Sequence, residues 1–324
     1  MSVLAGSTPS IIPASRSESF RAMSWRKLRK NPPAMAGLYF LIFMVAVTIL
    51  GPTHYFSPYK IEQTSASQFQ PPSLEHWFGT DLHGRDVLTR VMWGGRLSLL
   101  VGFAATIVSL TIGVIYGAVA GYIGGKTDQV MMRIVDILYS LPNLVFVIVL
   151  IAFMEAYLRK LFATDLFGVR MDFLIPYSRI ILLLIGLGAL QWLTMARIVR
   201  GQVLSLREQQ FVLASRALGA RTVRIISRHL IPNVSGPVLA YLTLTVPAVM
   251  LREAFLSFLG LGIQPPQASW GSLVADGANL LNPIKSCWWL VFFPGMAMAL
   301  TLLSLNFLGD GLRDALDPKS QKSW

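Results

Sequence analysis

Charge is scarce in this chain of 324 residues. Asp, Glu, Lys and Arg make up only 14% of it, while 54% is hydrophobic. Soluble domains run near 25% charged, so a large water-soluble core is excluded and an integral membrane protein is expected. Cysteine is almost missing. With Cys287 alone, neither an intrachain disulfide nor a cysteine metal cluster can form. Histidine is nearly as rare. His54, His76, His83 and His229 show no ligand spacing of the kind metal sites need, so no metal site is expected. A cleavable signal is lacking as well. The Ser/Pro-rich start, MSVLAGSTPSIIPASRSESFRAMSWRKLRKNPP, ends in a basic cluster, and the apolar stretch after it has no small-residue cleavage site.

What is abundant is positive charge relative to negative, a net +12. Basic residues punctuate apolar segments and form no surface with interleaved aromatics, which argues against nucleic acid as a partner. A bilayer-crossing helix needs about 20 mostly apolar residues. Six stretches qualify: Ala34 to Gly51, Leu97 to Tyr122, Ile134 to Met154 with Pro142 breaking it, Ile175 to Ile198, Val234 to Phe255, and Trp288 to Leu308. With the N-terminus inside, the inner segments hold about twice as many Lys and Arg as the outer ones, the bias that puts both termini in the cytoplasm. Trp93, Trp288 and Trp289 then mark outer span ends. The expected fold is an all-α integral membrane protein. It has a cytoplasmic tail and basic anchor over 1–33, a first transmembrane helix and extracytoplasmic segment over 34–96, a five-helix core over 97–309 with a basic loop at 200–233, and a cytoplasmic tail over 310–324.

Little in the spans carries chemistry. AGYIGGKT, Ala120 to Thr127, fits a loose phosphate-loop pattern, but a membrane helix leads into it where a buried strand should, so ATP binding by this chain is not expected. Asp136, Glu155, Arg252 and Glu253 are the ionisable exceptions near span ends, too few for an intramembrane hydrolase. Arg252 and Glu253 are candidates for a pathway or gate, because ionisable groups in membranes tend to line cavities. The plainer reading is that they reach the outer interface. Gly113, Gly117 and Gly121 recur every four residues and offer another helix a flat face. Asp81, Arg85, Asp86 and Arg90 are spaced to pair on a short amphipathic helix in the outer loop.

The most structured signal is FVLASRALGARTVRIISRHLIPN, positions 211 to 233. A helix over about Glu208 to Leu218 is predicted, broken at Gly219, since glycine tolerates left-handed backbone angles. A second helix runs from Arg221 to Leu230 and is stopped by Pro232. It sets Arg221, Arg224 and Arg228 on one face and Val223, Ile226 and Leu230 on another. Such an element on the inner surface suits the reception of force from a soluble partner.

This stretch resembles the EAA-type motif of ATP-binding-cassette importer permeases, E-A-A-x3-G-x9-I-x-L-P. Ala214, Gly219 and Pro232 match strictly, Ile231 stands at the leucine and His229 at the isoleucine. GTDLHGRDVLTRVMWGGRLSLLVG, GYIGGKTDQVMMRIVDILYSLP, MARIVRGQVLSLREQQFVLASRALGA, RHLIPNV, SFLGLGIQPPQASWGSL and FLGDGLRDALDP follow in the order found in the C-type permease subunit of oligopeptide and dipeptide importers. The likeness covers about residues 25 to 322. It implies a type I importer permease fold with six transmembrane helices in the bacterial inner (plasma) membrane, and a homologous B-type permease as the other half of the pore. It also implies two ATPase subunits that carry ATP and Mg, an extracytoplasmic peptide-binding protein, and no cofactor or catalysis in this chain. Surrounding lipid and the peptide itself complete the expected partners. The coupling role falls on Glu208, Phe211, Val212, Ala214, Ser215, Ala217, Leu218 and Gly219, and by extension on Arg221, Arg224 and Arg228. Two departures stand out. Leu213 replaces the motif's glutamate, with Glu208 five residues earlier, and the segment from Glu155 to Asp172 is longer than the usual outer connection. Import of nickel or another small solute by the same family is the nearest alternative. A secondary transporter driven by an ion gradient is the competing class, and it would need intramembrane ion sites.

Overall fold

A computed structural model of the chain describes residues 20–51, 59–164, 171–265, 267–281 and 286–316. His54, Lys285, the N-terminal tail before residue 20, part of the long outer segment (165–170) and the C-terminal end from 317 lie outside the described residues. Those described form helices and no strand. They are α1 (Phe20–Arg29), α2 (Pro32–Leu50), α3 (Val87–Ile123), α4 (Gly125–Tyr139), α5 (Asn143–Ala163), α6 (Ser178–Leu206), α7 (Gln210–Ala217), α8 (Thr222–Ile225), α9 (Ile231–Phe258), α10 (Trp270–Asn279) and α11 (Trp289–Leu316). Five helical stretches are long and apolar enough to cross a bilayer, and the pair α4–α5, bent by 79°, makes a sixth. The bend falls at Pro142, which caps α5 in extended conformation. A proline there cannot continue the preceding helix.

Helix starts follow local chemistry. Asn31 caps α2 by accepting the Ala34 N–H at 3.3 Å, with Pro32 and Pro33 just inside, where no N–H is needed. α3 begins at Val87, earlier than the expected Leu97, because Asp86 caps it. Asp86 Oδ2 accepts the Thr89 N–H at 2.8 Å and its hydroxyl at 2.7 Å. The short amphipathic helix expected over Asp81 to Arg90 is therefore absent. Asp81 lies in a loop and accepts Arg85 Nε at 2.7 Å and Arg90 Nη1 at 2.8 Å, along with the backbone N–H groups of His83 and Arg85. Asp86 pairs with His76 Nδ1 at 3.0 Å and, among the described residues, with no arginine. The loop is pinned to α11 by Trp289 Nε1, which donates to Thr80 O at 3.2 Å, and by Phe78 stacked 3.9 Å from Phe293.

α3 and α6 make the most extensive helix contact. Gly113, Gly117 and Gly121 lie along it. A Cβ at Gly113 would stand 2.6 Å from Met195 Cβ, one at Gly117 would strike Ala196 O, and one at Gly121 would stand 2.9 Å from Arg200 O. α2 packs on α11, and α9 on α3 and α11. The ten residues of α10, about 15 Å of helix, are too short to span. This helix dips into the bundle and is held by Trp270, whose Nε1 donates to Val91 O at 2.9 Å and whose N–H donates to Ser98 Oγ at 3.1 Å. One face of the molecule gathers α1, the α3–α4 turn, the α6–α9 connection and the end of α11. It carries most of the exposed arginines and lysines and is called the basic face below. The opposite face gathers the loop before α3, α10 and the start of α11.

Candidate functional site

On the basic face the chain leaves α6 through Arg207. Its Nη1 donates to Gly121 O at 3.2 Å and its Nε to Glu208 at 3.1 Å. α7 follows. Val212 is its anchor, fully buried among Met195, Val199, Val203, Ile225 and Leu230, the core on this side of the bundle. Phe211, Leu213 and Ala214 stay exposed, and Leu218 is 87% exposed. The outer side of α7 is therefore apolar in character. Glu208 precedes α7 and pairs with Arg207, so it does not take the place of Leu213, which sits exposed on the helix.

The end of α7 is a glycine-capped stop. Gly219 has φ +75°, and its N–H donates to Arg216 O at 3.0 Å while the Ala220 N–H donates to Ser215 O at 3.1 Å. These two bonds satisfy carbonyls that the helix end leaves open, and the positive φ they require is the reason for glycine. Ser215 and Ala217 lie in the last turns of α7, and Arg216 reaches over the Tyr122 ring at 5.3 Å.

Beyond Gly219 the structure departs from the expected second helix. Pro232 does not stop it. α8 passes through a wide turn, Ile226–Leu230, in which the Ile231 N–H donates to Ile226 O, and enters α9 directly. Thr222–Phe258 is thus a single candidate span. Proline in the first turn of α9 removes an N–H from the helix, and the i→i+5 turn absorbs the mismatch. The extra residue also shifts the phase of the faces. Ile225 and Leu230 are buried together, whereas Val223, expected on the apolar face, is 77% exposed. Arg221, Arg224 and Arg228 are exposed and form no ion pair among the described residues.

Arg252 and Glu253 are neighbours in sequence and lie in different surroundings. Arg252 Nη1 donates to Gln191 Oε1 of α6 at 2.5 Å. Glu253 is 1% exposed and faces no cation among the described residues. Ser257 Oγ donates to it at 2.7 Å and lies 3.4 Å from Ser269 Oγ, the cap of α10. Within this chain Glu253 ties α9 to the approach of α10, while Arg252 braces α9 on α6.

Three ion-pair groups escaped the sequence reading. Arg200 holds Asp128 in a two-pronged contact at 2.5 and 2.6 Å, and Arg197 reaches Asp136 at 2.8 Å, so α4 is tied to the last third of α6. Glu155 accepts from Arg179 at 2.7 Å and Arg159 at 2.8 Å. Asp128 and Asp136 are eight residues apart on α4 whereas Arg197 and Arg200 are three apart on α6, so no common spacing signalled these pairs.

An all-helical chain with up to six candidate spans and a short glycine-capped helix hung from one face is a multispanning membrane protein. A family model described as binding-protein-dependent transport system inner membrane component matches residues 109–322, and one described as N-terminal TM domain of oligopeptide transport permease C matches residues 19–72. The chain belongs to the binding-protein-dependent transport system inner membrane component family. It is 45% identical over 305 residues to the dipeptide transport system permease protein DppC of Bacillus subtilis, covering 94% of this chain and 87% of that one. It is 45% identical over 299 residues to the oligopeptide transport system permease protein OppC of Haemophilus influenzae, covering 91% and 88%. Among solved structures, an inward-facing MetNI methionine ABC transporter superposes with a TM-score of 0.50 at 18% identity over 71% of this chain and 96% of that one, a likeness of fold.

Proposed function

We propose that this chain is one of two permease halves of an ATP-driven peptide importer, with the basic face in the cytoplasm. Its relatives' names supply peptide as the cargo class. A second, homologous permease forms the other half of the pathway, two ATPases holding ATP and Mg dock beneath, and an extracytoplasmic binding protein delivers the peptide. The observation that carries the coupling reading is α7 itself. Its inner side is fixed by Val212, its outer side offers Phe211, Leu213, Ala214 and Leu218, and the chain beyond Gly219 runs unbroken into a span. In this reading, closure of the ATPases displaces α7 and switches the two membrane halves between inward- and outward-facing arrangements. Such a switch needs partners that bind the two states differently.

The test is capture. Ala214 is exposed and Cys287 is buried, so Ala214→Cys places a single reactive thiol on α7. Cross-linking in the active complex should trap an ATPase subunit, and trapping should respond to ATP. Transport-active complex in which no nucleotidase is trapped rejects the coupling assignment.

A further inference from the structure

The opposite face carries a second feature of the molecule, a cavity of about 400 Å³ between the loop before α3, the end of α10 and the start of α11. Leu82, Leu273, Leu280, Leu290 and Pro294 supply much of its wall. That size and a mainly apolar wall with a few placed charges are the marks of a site for a small molecule. Its charges are not equivalent. Arg90, 5% exposed, lies 2.8 Å from Asp81 and 3.5 Å from Asp276. Asp81 is fully engaged, since it also holds Arg85 and two backbone N–H groups.

Asp276 is different. Its side chain is 51% exposed at the cavity, one oxygen makes only the long contact to Arg90, and the other has no partner among the described residues. It stands in the last turn of α10, which ends at Asn279. There the helix dipole is negative, so a carboxylate is disfavoured and a cation beside it is favoured. Arg85 and Arg90 share the single carboxylate of Asp81, so Asp276 brings the charges at the cavity into balance, and its free oxygen is the one carboxylate oxygen there open to a further hydrogen-bond donor among the described residues.

We propose that this cavity receives the ammonium end of a peptide. Asp276 pairs with the free α-ammonium, and the leucine wall takes the first side chain. The inference rests on the peptide-importer reading and adds which end of the cargo this subunit holds. It predicts that acetylating the peptide's amine removes the contact, because a neutral amide cannot replace the ion pair.

Asn279 lines the cavity and is exposed, so Asn279→Cys in the complete transporter complex, without binding protein, can be labelled with a membrane-impermeant maleimide while Cys287 stays buried. An alanyl peptide with a free amine should slow labelling at millimolar concentration, and its N-acetylated form should need a concentration about ten-fold higher for the same effect, the affinity ratio one charge-assisted contact commands. Added Asp276→Asn should abolish the protection and Asp276→Glu should keep it, with co-purification of the ATPases verifying that each variant is assembled. Equal protection by both peptides, protection by neither, or protection that survives Asp276→Asn overturns the proposal. So does protection that appears only when the binding protein is added, which would make the cavity a protein-docking site. Uptake by the wild-type complex with its binding protein separates the two readings. No peptide uptake rejects the importer reading, while uptake without protection rejects the cavity assignment alone.

Discussion

Two sets of arginines in the molecule keep different company. Arg85 and Arg90 close on Asp81, and Arg179 closes on Glu155, all largely shielded from solvent. On the basic face, Arg221, Arg224 and Arg228 stand in solvent with no carboxylate in reach among the described residues. Desolvated charges must be paired, because an unpaired one costs several kcal/mol. Solvated charges bear no such constraint and stay available to a partner. The first set holds this chain's shape, and the second set leaves it unchanged.

The difference can be broken from either side. Asp81→Ala leaves buried Arg90 with only its long contact to Asp276 and frees two backbone N–H groups, so a loss of about 3–5 kcal/mol is expected. Arg221→Gln should move stability by less than about 0.5 kcal/mol. Thermal unfolding of the purified complex measures both, and an Asp81→Ala protein that melts with wild type would erase the contrast. Gly219→Pro is the next largest effect and lands on transport. It demands φ near −65° where the chain has +75°, and removes the N–H that reaches Arg216 O. ATP-driven uptake should vanish while membrane insertion persists. Gly219→Ala, whose added Cβ meets nothing within 4 Å, carries only the left-handed backbone cost of about 1–2 kcal/mol and should retain partial uptake. Normal uptake by the proline variant would sink the coupling assignment. The smallest contrast lies within one cluster. Arg179 is shielded and Arg159 is half exposed, so Arg179→Gln should cost about 1–3 kcal/mol and Arg159→Gln under about 1 kcal/mol. Equal melting shifts for the two would mean that burial does not set their worth.

Much of this architecture was legible because apolar length and glycine chemistry are local. The spans, the break at Pro142 and the left-handed turn at Gly219 each follow from a few adjacent residues. Pro232 was misread for an equally local reason. Proline ends one helix or begins the next with the same fixed φ, and the sequence around it does not say which. The wide turn that resolves the choice inserts a residue into the phase, which is why Val223 left the face that Ile225 and Leu230 keep. At Asp81 and Asp86 the residue types announced ion pairs, but loop geometry has no period from which partners can be counted. Arg200 and Asp128 lie 72 positions apart, and their meeting depends on how closely α3 and α6 approach, which only the packed fold decides.

The helix from Thr222 to Phe258 has 37 residues, about 55 Å of backbone. It starts beside Gly219 and finishes where Ser257 meets the cap of α10. No loop interrupts it to take up slack. Tilt imposed at one mouth therefore reappears at the other, less whatever is lost at Pro237 and Pro247, where missing N–H groups soften the column. If α7 receives force as proposed, the timing between the two mouths would be set along this one continuous helix, and moving either proline should change it without altering a contact to a partner.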